Sequence, residues 1–374
     1  MNSFGKRLRL TIFGESHGPG VGVVLDGVPP GLAIDAPALQ RDLDLRRPGK
    51  PLTSARRERD IPEILSGTFN GHTTGAPLCI FIRNEDADSR PYEATARMPR
   101  PGHADYTAHV AARGHNDPRG GGHTSGRLTA PLVAAGTIAS QILAPHGIRC
   151  AAHLQQVHDL AGPAGTTNVT TMLKRVPRST VMTAHTDLED AFAARIREAR
   201  KAGDSLGGAV EFAADDLPAG LGEPFFDSIE SHLAHLLFAV PAVKGVEFGA
   251  GFAAAAMRGS EHNDPFLAVA GKVATATNHA GGILGGRSSG MPIWGRVAIK
   301  PTSTLPGRDQ ATVDLETMEG ATLRATGRHD PCIAVRAVPV VQACLRIALA
   351  EFALGAEEAG LLPRRPQATS RPSR

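Results

Sequence analysis

The sequence predicts an α+β protein with one domain, because strand and helix patterns are mixed along the chain without a regular βαβ alternation. The 374 residues are enough for one large domain or two ordinary ones. No linker-like segment divides the sequence, and no period of roughly 20–50 residues repeats in it. We therefore expect one domain over residues 1–360 and a disordered, basic Pro/Ser-rich tail over residues 361–374.

The first half of the chain has strand patterns and two helical segments around a long polar region. Apolar runs predict strands at residues 7–13, 20–28 and 77–84. Residues 37–45 and 129–147 have helical patterns, and Pro145 and Gly147 are expected to end the second helix. Residues 85–126 are typical of a long loop, and such a loop inside a compact chain is usually functional or disordered. Its density of His and Arg favours a functional loop.

The second half combines helices with short strands. Helical patterns occur at residues 186–205, 226–240 and 333–354. In the first of these, acidic residues precede basic ones, which complements the helix dipole, and Gly203 lies at the expected C-terminal cap. Residues 207–220 predict a strand that leaves through a turn, and residues 243–300 predict several short strands with glycine turns. The apolar run 333–354 predicts a long buried helix.

Composition and charge limit the classes of function. Aromatic residues make up only 4% of the chain, so the core must be mostly Ala, Val, Leu and Ile. The net charge of +3 does not suggest a general nucleic-acid binder. Basic residues nevertheless concentrate in one segment, and this cationic patch suits a phosphorylated or carboxylated small molecule as well as it suits RNA. These residues are Arg41, Arg46, Arg47, Lys50, Arg56, Arg57 and Arg59.

Cysteine usage and the N-terminus indicate the compartment. None of the four cysteines forms a C-x-x-C pair, so neither a zinc cluster nor a disulfide framework is predicted, and the usage fits a reducing cytosol. The N-terminal stretch MNSFGKRLRLTIFG has no apolar core of a signal peptide. No apolar run approaches the ~20 residues of a membrane span. We therefore expect a cytoplasmic protein without a membrane partner.

The stretch TIFGESHGPG, residues 11–20, places Glu15, Ser16 and His17 directly after a strand pattern. An imidazole titrates near neutrality, so His17 is a candidate general acid or base. The alternative is a turn histidine with Ser16 capping a backbone group. On these residues alone the alternative is the more frequent case.

A second segment, residues 100–127, contains four histidines, two aspartates and four arginines. The histidines are spaced 6, 6 and 8 residues apart, unlike the i, i+4 pair of a helical zinc site, so no metal site is predicted. The stretch RGGGHTSGR suits an anion better, because its glycines let backbone N–H groups approach phosphate oxygens and its Thr, Ser and Arg add donors. A flexible surface loop is the alternative.

Two later segments have a similar character. NHAGGILGGRSSGMPI, residues 278–293, carries two Gly-Gly pairs that suit close backbone approach, but it is not a G-x-G-x-x-G dinucleotide fingerprint. In AIKPTSTLPGR, residues 298–308, Lys300 and the hydroxyls that follow it can hold a phosphate. GRHDPC, residues 327–332, predicts a catalytic or anion-binding turn before Pro331, with a solvated charged turn as the alternative.

These segments, in this order, resemble the chorismate synthase family. The matching strings run from about residue 10 to residue 345, and so many long ungapped strings in one order make chance similarity implausible. The strings are FGESHG, DGVPPG, RRPG, RPGHADYT, RGGG, GDSLGG, PAGLGEPFFD, AVKGVE, NHAGGILGG, KPTST and GRHDPC.

The resemblance implies a fold and an activity. The fold would be a β-α-β sandwich with central helices between antiparallel sheets, typically in a homotetramer. The activity would be a lyase reaction of the shikimate pathway, the conversion of enolpyruvylshikimate 3-phosphate to chorismate and phosphate by anti-1,4-elimination. The family requires reduced FMN although there is no net redox change. Nothing in the sequence resembles an added reductase domain, so we expect FMN reduced outside the protein, by an external flavin reductase, with NADPH involved only indirectly.

The resemblance also implies residue roles. His17 would protonate the departing phosphate, His103 would protonate the reduced flavin, and Asp330 would assist deprotonation near the flavin N5. The residues expected to bind substrate are Ser16, Arg46, Arg47, Arg127 and Arg328. The residues expected to bind FMN are His123, Thr124, Ser125, Pro241, Ala242, Gly285, Lys300, Pro301, Thr302, Ser303, Thr304 and Arg328.

The chain departs from the family pattern on the cofactor side. The family commonly reads RGGGRSSARET where this chain reads RGGGHTSGRLT, so that His123, Thr124 and Leu128 replace an arginine, a serine and a glutamate. Pro241 stands where the family usually has Asn. The segment after RRPG is one residue short, and a family arginine has no clear counterpart there. Because histidine lacks the bidentate fork of arginine, we expect weaker or altered FMN binding with the chemistry retained.

Two other functions stay open at this point. A diverged paralogue would bind flavin or anionic metabolites with altered or lost activity, and the cofactor-side departures are its support. An Arg-rich RNA-binding protein would use residues 41–59 and the tail. The near-neutral charge of the chain does not favour RNA binding, and its one Trp and two Tyr leave little surface for base stacking. No nucleic-acid partner is therefore expected.

Overall fold

The computed structural model describes residues 1–86, 92, 94–324 and 329–363. Its strands are β1 (Ser3–Phe4), β2 (Arg9–Gly14), β3 (Gly20–Asp26), β4 (Pro62–Ser66), β5 (Thr68–Phe69), β6 (His72–Thr73), β7 (Leu78–Arg83), β8 (Arg149–Val157), β9 (Leu160–Ala161), β10 (Gly208–Asp215), β11 (Val243–Phe248), β12 (Phe266–Val269), β13 (Lys272–Thr275), β14 (Ile283–Leu284), β15 (Arg287–Ser288), β16 (Ile293–Ile299), β17 (Asp309–Val313) and β18 (Gly320–Arg324). Its α-helices are α1 (Ala36–Arg46), α2 (Asp105–Ala111), α3 (Thr129–Leu143), α4 (Val169–Arg175), α5 (Glu189–Lys201), α6 (Ile229–Phe238), α7 (Gly259–His262) and α8 (Ala334–Glu358).

Two antiparallel sheets of five strands form the outer layers. The first has the strand order β1-β2-β3-β7-β4, and the second has the order β11-β16-β10-β8-β9. In the first sheet Val24 lies opposite Thr11 on one side and Cys79 on the other. In the second sheet Phe212 lies opposite Ala152 and Gly295. The remaining strands of the described chain form four two-stranded hairpins on the periphery.

The helices α3 and α8 occupy the space between the sheets. They pack against each other, α3 contacts β3 and β7 of the first sheet, and α8 contacts β8 and β10 of the second. Both helices are apolar around most of their circumference, which is the pattern of a helix buried on all sides. The predicted class is therefore confirmed as an α+β sandwich with central helices between antiparallel sheets.

Close packing at the centre depends on small residues. A Cβ atom added at Gly136 of α3 would lie 2.4 Å from the Cβ of Ala343 in α8, so a larger residue there would separate the two helices. In β7 the side chains of Leu78, Ile80 and Ile82 alternate inward and are fully buried, whereas the residues between them point away. This alternation fixes which face of the sheet meets the helices.

Most predicted elements occur where the patterns placed them. The three early strands correspond to β2, β3 and β7, and the predicted helices correspond to α1, α3, α5, α6 and α8. Gly203 follows α5 with a φ of 62°, as expected of a C-terminal cap. The prediction of a loop over residues 85–126 is wrong for Asp105–Ala111, which forms α2. Residues 364–374 of the predicted tail lie outside the described residues.

Two helical segments have the length and hydropathy of a membrane span, namely Arg119–His146 and Ala334–Glu358. Within the protein, 78% and 83% of these apolar stretches are buried, as in the core helices of a globular domain. Packing between the two sheets therefore accounts for their length and composition.

Candidate active site

One large cavity of about 730 Å³ opens between loops from both halves of the chain. Its apolar floor includes Leu10, Ile12, Leu132, Leu236 and Val340. Its polar lining includes Ser16, Arg46, Ser54, Arg56, Glu58, Tyr92, Arg100, His103, His123, Thr124, Ser125, Arg127, Thr129, His235, Lys300, Thr302, Ser303, Thr304, His329, Asp330 and Arg336. A cavity of this size with a concentration of charged groups is the ordinary form of a small-molecule site.

Three consecutive glycines pass between His103, which lines this cavity, and His17, which lies directly behind Gly120. Gly120, Gly121 and Gly122 all have positive φ values, of 59°, 85° and 52°. A Cβ atom at Gly120 would lie 2.3 Å from Cε1 of His17, and one at Gly121 would lie 2.9 Å from Cε1 of His103. The loop therefore passes between the two imidazoles, and only glycine fits at both positions.

His17 follows the end of β2 in a nearly closed environment. The backbone N–H of Ser16 donates to the carbonyl of Gly122 at 3.1 Å, which ties this turn to the glycine loop. The His17 ring is 9% exposed and meets the ring of Tyr92 edge-on at a centroid distance of 5.1 Å. The hydroxyl of Ser16, itself 1% exposed, lines the cavity and has no hydrogen-bond partner in the described chain. It is therefore an available donor for a bound ligand.

His103 is coupled to a carboxylate. Its Nδ1 lies 2.7 Å from Oδ1 of Asp105, whose two oxygens also accept hydrogen bonds from the guanidinium of Arg100 at 2.7 Å each. Burial raises the pKa of Asp105, but the hydrogen bonds and charges of Arg100 and His103 outweigh it and hold this pKa well below its usual range. Asp105 is therefore ionised at neutral pH.

A buried ion network forms one side of the cavity. Nη2 of Arg46 donates to Asp60 at 2.5 Å, and Nη1 of Arg127 donates to the other oxygen of the same carboxylate. Burial raises the pKa of Asp60, but the charges of Arg46 and Arg127 hold it far below its usual range. Burial also lowers the pKa of Arg46 to about 10, so its guanidinium remains charged near pH 7. Nε of Arg46 has no hydrogen-bond partner among the described residues.

Two further carboxylates extend this network. Oδ1 of Asp330 accepts from the backbone N–H of Ser54 at 2.8 Å, and Oδ2 accepts from Nη1 of Arg336 at 2.7 Å. Nη2 of Arg56 lies 2.6 Å from Glu58, whose side chain is 1% exposed. We call the four arginines and their carboxylates the arginine cluster, which consists of Arg46, Arg56, Arg127, Arg336, Glu58, Asp60 and Asp330.

The segment after β16 supplies hydroxyl groups and one amine. Nζ of Lys300 donates to the carbonyl of Gly102 at 2.5 Å and to Oγ of Ser303 at 2.7 Å. Burial, together with the charge of Lys244, lowers the pKa of Lys300. His123 is exposed, with Nδ1 2.8 Å from the carbonyl of Gly14. We call this second group the hydroxyl cluster, which consists of His123, Thr124, Ser125, Lys300, Thr302, Ser303 and Thr304.

The turn after α6 joins the hydroxyl cluster. Ala242 has a φ of 75°, an uncommon value for a residue with a side chain, and its carbonyl accepts from the backbone N–H of Lys300 at 2.9 Å. Pro241 and Ala242 both line the cavity. The strained turn thus places this segment against the strand end that carries Lys300.

The structure brings most of the sequence-predicted residues together. His103, Asp330, Ser16, Arg46 and Arg127 line the cavity, and His17 lies directly behind Gly120. The predicted cofactor residues from His123 to Ser125, from Pro241 to Ala242 and from Lys300 to Thr304 also line it.

Two predicted residues do not join them, and a third cannot be placed. Arg47 lies outside the lining and pairs with Asp44 at 3.2 Å. Gly285 lies in the turn of the β14–β15 hairpin, away from the cavity, because the chain needs a positive φ there to reverse direction. Arg328 lies outside the described residues.

Several lining residues were not predicted from the sequence. Arg100 and Arg56 lie in segments whose basic residues predict anion binding, but no spacing rule indicates their carboxylate partners. Arg336 could have been found from the sequence more easily, because it is a charged residue near the start of the long apolar run of α8. Among the residues that the structure describes, no group of three or more His, Cys, Asp or Glu side chains is arranged to hold a metal ion.

The comparisons with known proteins decide the family. The sequence model of the family described as "Chorismate synthase" matches residues 8–354. The chain belongs to the chorismate synthase family. It is 48% identical to the chorismate synthase of Korarchaeum cryptofilum over 93% of this chain and 96% of that protein. It is 46% identical to that of Aeropyrum pernix over 97% of this chain and 94% of that protein.

A solved structure agrees with the sequence relatives. The crystal structure titled "Crystal Structure of Chorismate Synthase" matches with a TM-score of 0.75 and 27% identity, covering 94% of this chain and 93% of that one. The described sandwich is thus the fold of a chorismate synthase. The protein is an enzyme with chorismate synthase activity, a lyase of aromatic amino-acid biosynthesis.

Proposed function

We propose that the protein converts enolpyruvylshikimate 3-phosphate to chorismate and phosphate by anti-1,4-elimination, in the shikimate pathway, with reduced FMN as cofactor. The observation that supports the proposal is the glycine loop between His17 and His103. His103 lines one cavity together with the guanidinium groups of the arginine cluster, and His17 lies directly behind Gly120. Imidazoles exchange protons near pH 7, and guanidinium groups bind phosphate and carboxylate.

The elimination breaks two bonds in the substrate. The carbon–oxygen bond to phosphate breaks and the phosphate leaves with the bonding electrons, while a ring carbon loses its proton and a new double bond forms. The ring loses one proton and the leaving phosphate gains one, so atoms and charges balance in chorismate and hydrogen phosphate. The protein therefore has to bind a highly anionic substrate, supply a proton to the leaving group and accept one from the ring.

The arginine cluster suits the binding step. The substrate bears a phosphate and two carboxylates, and the cluster presents four guanidinium groups against three carboxylates. Because Asp60 and Asp330 hold Arg46, Arg127 and Arg336 in place, little reorganisation is needed when the anion binds. The orphan Nε of Arg46 and the orphan hydroxyl of Ser16 are donors that a bound anion would satisfy.

We assign the proton transfers to His17 and Asp330. The buried ring of His17 is proposed to donate to the departing phosphate, which is a poor leaving group without a proton. Asp330 is proposed to assist removal of the ring proton. His103 is proposed to hold a proton at a ring nitrogen on the cofactor side. The closed surroundings of His17 exclude bulk water and strengthen each of these interactions.

The residues present fit a flavin mononucleotide. The hydroxyl cluster and Lys300 match a phosphate and ribityl chain, and the apolar floor offers surface for a ring system. The volume of about 730 Å³ lies within the range of roughly 300–1,000 Å³ that small-molecule sites occupy. When bound, reduced FMN supplies an electron-rich ring that eases departure of the phosphate without net oxidation. We propose that it is reduced outside this protein, by an external flavin reductase, and that NADPH takes part only through that reductase.

We also propose a homotetramer. Its support is exposed apolar surface outside the cavity, where Phe225, Phe226, Phe252 and Phe266 are each between 67% and 92% exposed. Light scattering coupled to gel filtration measures the assembly, and a monomer at micromolar concentration would contradict this part of the proposal.

An anaerobic assay tests the function. Purified protein, enolpyruvylshikimate 3-phosphate and chemically reduced FMN should yield chorismate and phosphate in equal amounts. His17→Ala should lower kcat by at least about 100-fold, the contribution typical of a general acid, while flavin binding and the unfolding midpoint stay unchanged. His158→Ala, an exposed histidine beside Asp159, is the matched control and should keep full turnover. Tight flavin binding without turnover in the wild type would instead favour a diverged paralogue.

A further inference from the structure

We infer that Asp105, held by Arg100, fixes His103 with a proton on Nδ1 and leaves Nε2 as the nitrogen that exchanges a proton with the cavity. The inference rests on the proposed function, since the exchange it serves belongs to the elimination. Asp105 is a positioning residue in this scheme, because it lies behind His103 and acts through that ring.

The carboxylate of Asp105 is fully occupied. Arg100 donates to it three times, from Nε to Oδ2 at 2.7 Å, from Nη2 to Oδ1 at 2.7 Å and from its backbone N–H to Oδ2 at 3.0 Å. The fourth contact is with Nδ1 of His103, at 2.7 Å from Oδ1. A carboxylate has about four acceptor sites, so the group has no freedom to rotate.

These contacts decide the tautomer. Nη2 of Arg100 also lies 3.2 Å from Nδ1, and a guanidinium only donates, so this contact alone would require an unprotonated Nδ1. An unprotonated Nδ1 would place its lone pair 2.7 Å from the ionised Oδ1 of Asp105, and the two groups would repel each other. Because Nη2 already donates to Oδ1 at 2.7 Å, the proton belongs on Nδ1, where it completes the network.

The other ring nitrogen faces the cavity. His103 lines the cavity with 23% of its side chain exposed, and Nε2 has no hydrogen bond to a described residue. A Cβ atom at Gly121 would lie 3.3 Å from Nε2, so the glycine keeps this edge of the ring open. Nε2 is thus available to bound ligand while Nδ1 is committed.

The local sequence builds this arrangement over six residues. Gly102 has a φ of 70° and turns the chain, and the backbone N–H of His103 donates to the carbonyl of Arg100 at 3.2 Å. Asp105 is then the first residue of α2. The turn lets the side chains of Arg100 and His103, five and two residues before Asp105, both reach its carboxylate. An extended or helical backbone would not bring these three side chains together.

Four charged or titratable groups face His103 and its surroundings. Asp105 lies 2.7 Å from Nδ1, Arg100 lies 3.2 Å from the same nitrogen, and Lys300 reaches the carbonyl of Gly102 at 2.5 Å. His17 lies across the glycine loop. Asp105 is the one of the four that contacts the ring through an anionic oxygen, so it is the group that accepts the proton of Nδ1.

Asp105→Asn tests the inference, with Asp314→Asn as the matched control. In the variant the amide oxygen should take the place of Oδ2, which accepts two of the three Arg100 hydrogen bonds. The NH₂ group then takes the place of Oδ1, faces Nδ1 and shifts the proton of His103 to Nε2. ¹⁵N spectra of histidine-labelled protein report the tautomer, with His103→Gln identifying the signal. The wild type should show Nδ1–H and the variant Nε2–H. Asp314→Asn removes the carboxylate from an ion pair with Arg97, in which the nitrogen–oxygen distance is 2.6 Å and no histidine takes part. This control should show the wild-type signal of His103.

Turnover compared with flavin binding gives the second readout. With the proton on the wrong nitrogen, Asp105→Asn should lower kcat by at least about 100-fold while the dissociation constant of FMN stays near the wild-type value. A wild-type spectrum with the proton on Nε2, or a variant with the wild-type tautomer and wild-type kcat, would overturn the inference. If wild-type protein has no turnover, the proposed function fails, and the tautomer spectra still decide the inference independently.

Discussion

The arginine cluster and the hydroxyl cluster line the same cavity but are built in opposite ways. In the arginine cluster, each guanidinium is held by a carboxylate, and the Arg46–Asp60 pair is 1% and 0% exposed. In the hydroxyl cluster, the groups are mostly neutral and His123 is open to solvent. The side chains of the arginine cluster are therefore fixed before a ligand binds, whereas those of the hydroxyl cluster are held by short hydrogen bonds that a ligand can replace.

This difference indicates where the chain tolerates change. A buried carboxylate that serves two guanidinium groups cannot be lost without leaving uncompensated charge. An exposed hydrogen bond is replaced by water at little cost. The departures from the family pattern at His123 and Thr124 fall in the hydroxyl cluster, which is the part of the site where substitution should alter ligand affinity more than folding.

The largest expected effect is at the centre of the arginine cluster, in Asp60→Asn. Asp60 has a φ of 52°, which asparagine adopts readily, so the variant changes the charge with little change of shape. Arg46 would then be buried without a counter-charge, and Arg127 would keep only Glu58 at 3.8 Å, so the free energy of unfolding should fall by about 3–5 kcal/mol. Chemical denaturation measures the loss, and turnover should fall with it.

Asp44→Asn is the control for that variant. Asp44 pairs with Arg47 at 3.2 Å on the surface of α1, where both side chains are about 40% exposed. Its loss should cost less than about 1 kcal/mol, as for other exposed helix pairs. Equal destabilisation by the two variants would show that Asp60 does not organise the cluster.

The sequence predicts the hydroxyl cluster more completely than the arginine cluster, for a physical reason. The hydroxyl cluster is largely a run of neighbouring residues from Lys300 to Thr304, so its phosphate-binding character is visible in one string. The arginine cluster joins Arg46, Asp60 and Arg127 across 81 positions of the chain, and no local spacing encodes that meeting. Asp60 is consequently not predicted from the sequence, although it is the most buried acid of the site.

The fold shows the same limit. Long apolar runs such as α8 and alternating strands such as β7 were predicted, because their burial repeats along the sequence. The helix α2 was missed, since it has only seven residues and no buried face. The pairing order of the two sheets depends on contacts between distant segments, so neither periodicity nor the family resemblance predicted it. The resemblance implied the sandwich and its central helices.

A smaller effect is expected in the hydroxyl cluster, from His123→Arg. A permanent cation with a bidentate fork should bind a flavin phosphate more tightly than the imidazole, which is occupied by the carbonyl of Gly14 and the side chain of Asn2. We expect the dissociation constant of FMN to fall roughly tenfold, equivalent to about 1.4 kcal/mol, with the unfolding midpoint unchanged. Anaerobic fluorescence titration measures it.

His109→Arg adds the same charge outside the large cavity and should leave flavin affinity as in the wild type. Ordinary tight FMN binding by the wild type that stays the same in His123→Arg would contradict the view that His123 weakens the cofactor side.

The smallest effect concerns Lys50, which lies behind the arginine cluster. Its amine donates to the carbonyl of Leu45 at 3.0 Å, and burial, with the nearby charges of Arg47 and Arg336, lowers its pKa from 10.5 to about 8. Between these two values the unfolded chain binds the proton and the folded protein does not, so the contribution of Lys50 to stability rises with pH. Because the side chain remains partly exposed, the change should total less than about 1 kcal/mol.

Lys50→Met isolates this contribution. Cys150, Cys332 and Cys344 are buried with pKa values raised to about 12, and they lower stability at alkaline pH in both proteins. The difference in unfolding free energy between wild type and variant cancels them. That difference should move in favour of the wild type between pH 7 and pH 10. A constant difference would show that folding does not lower the pKa of Lys50.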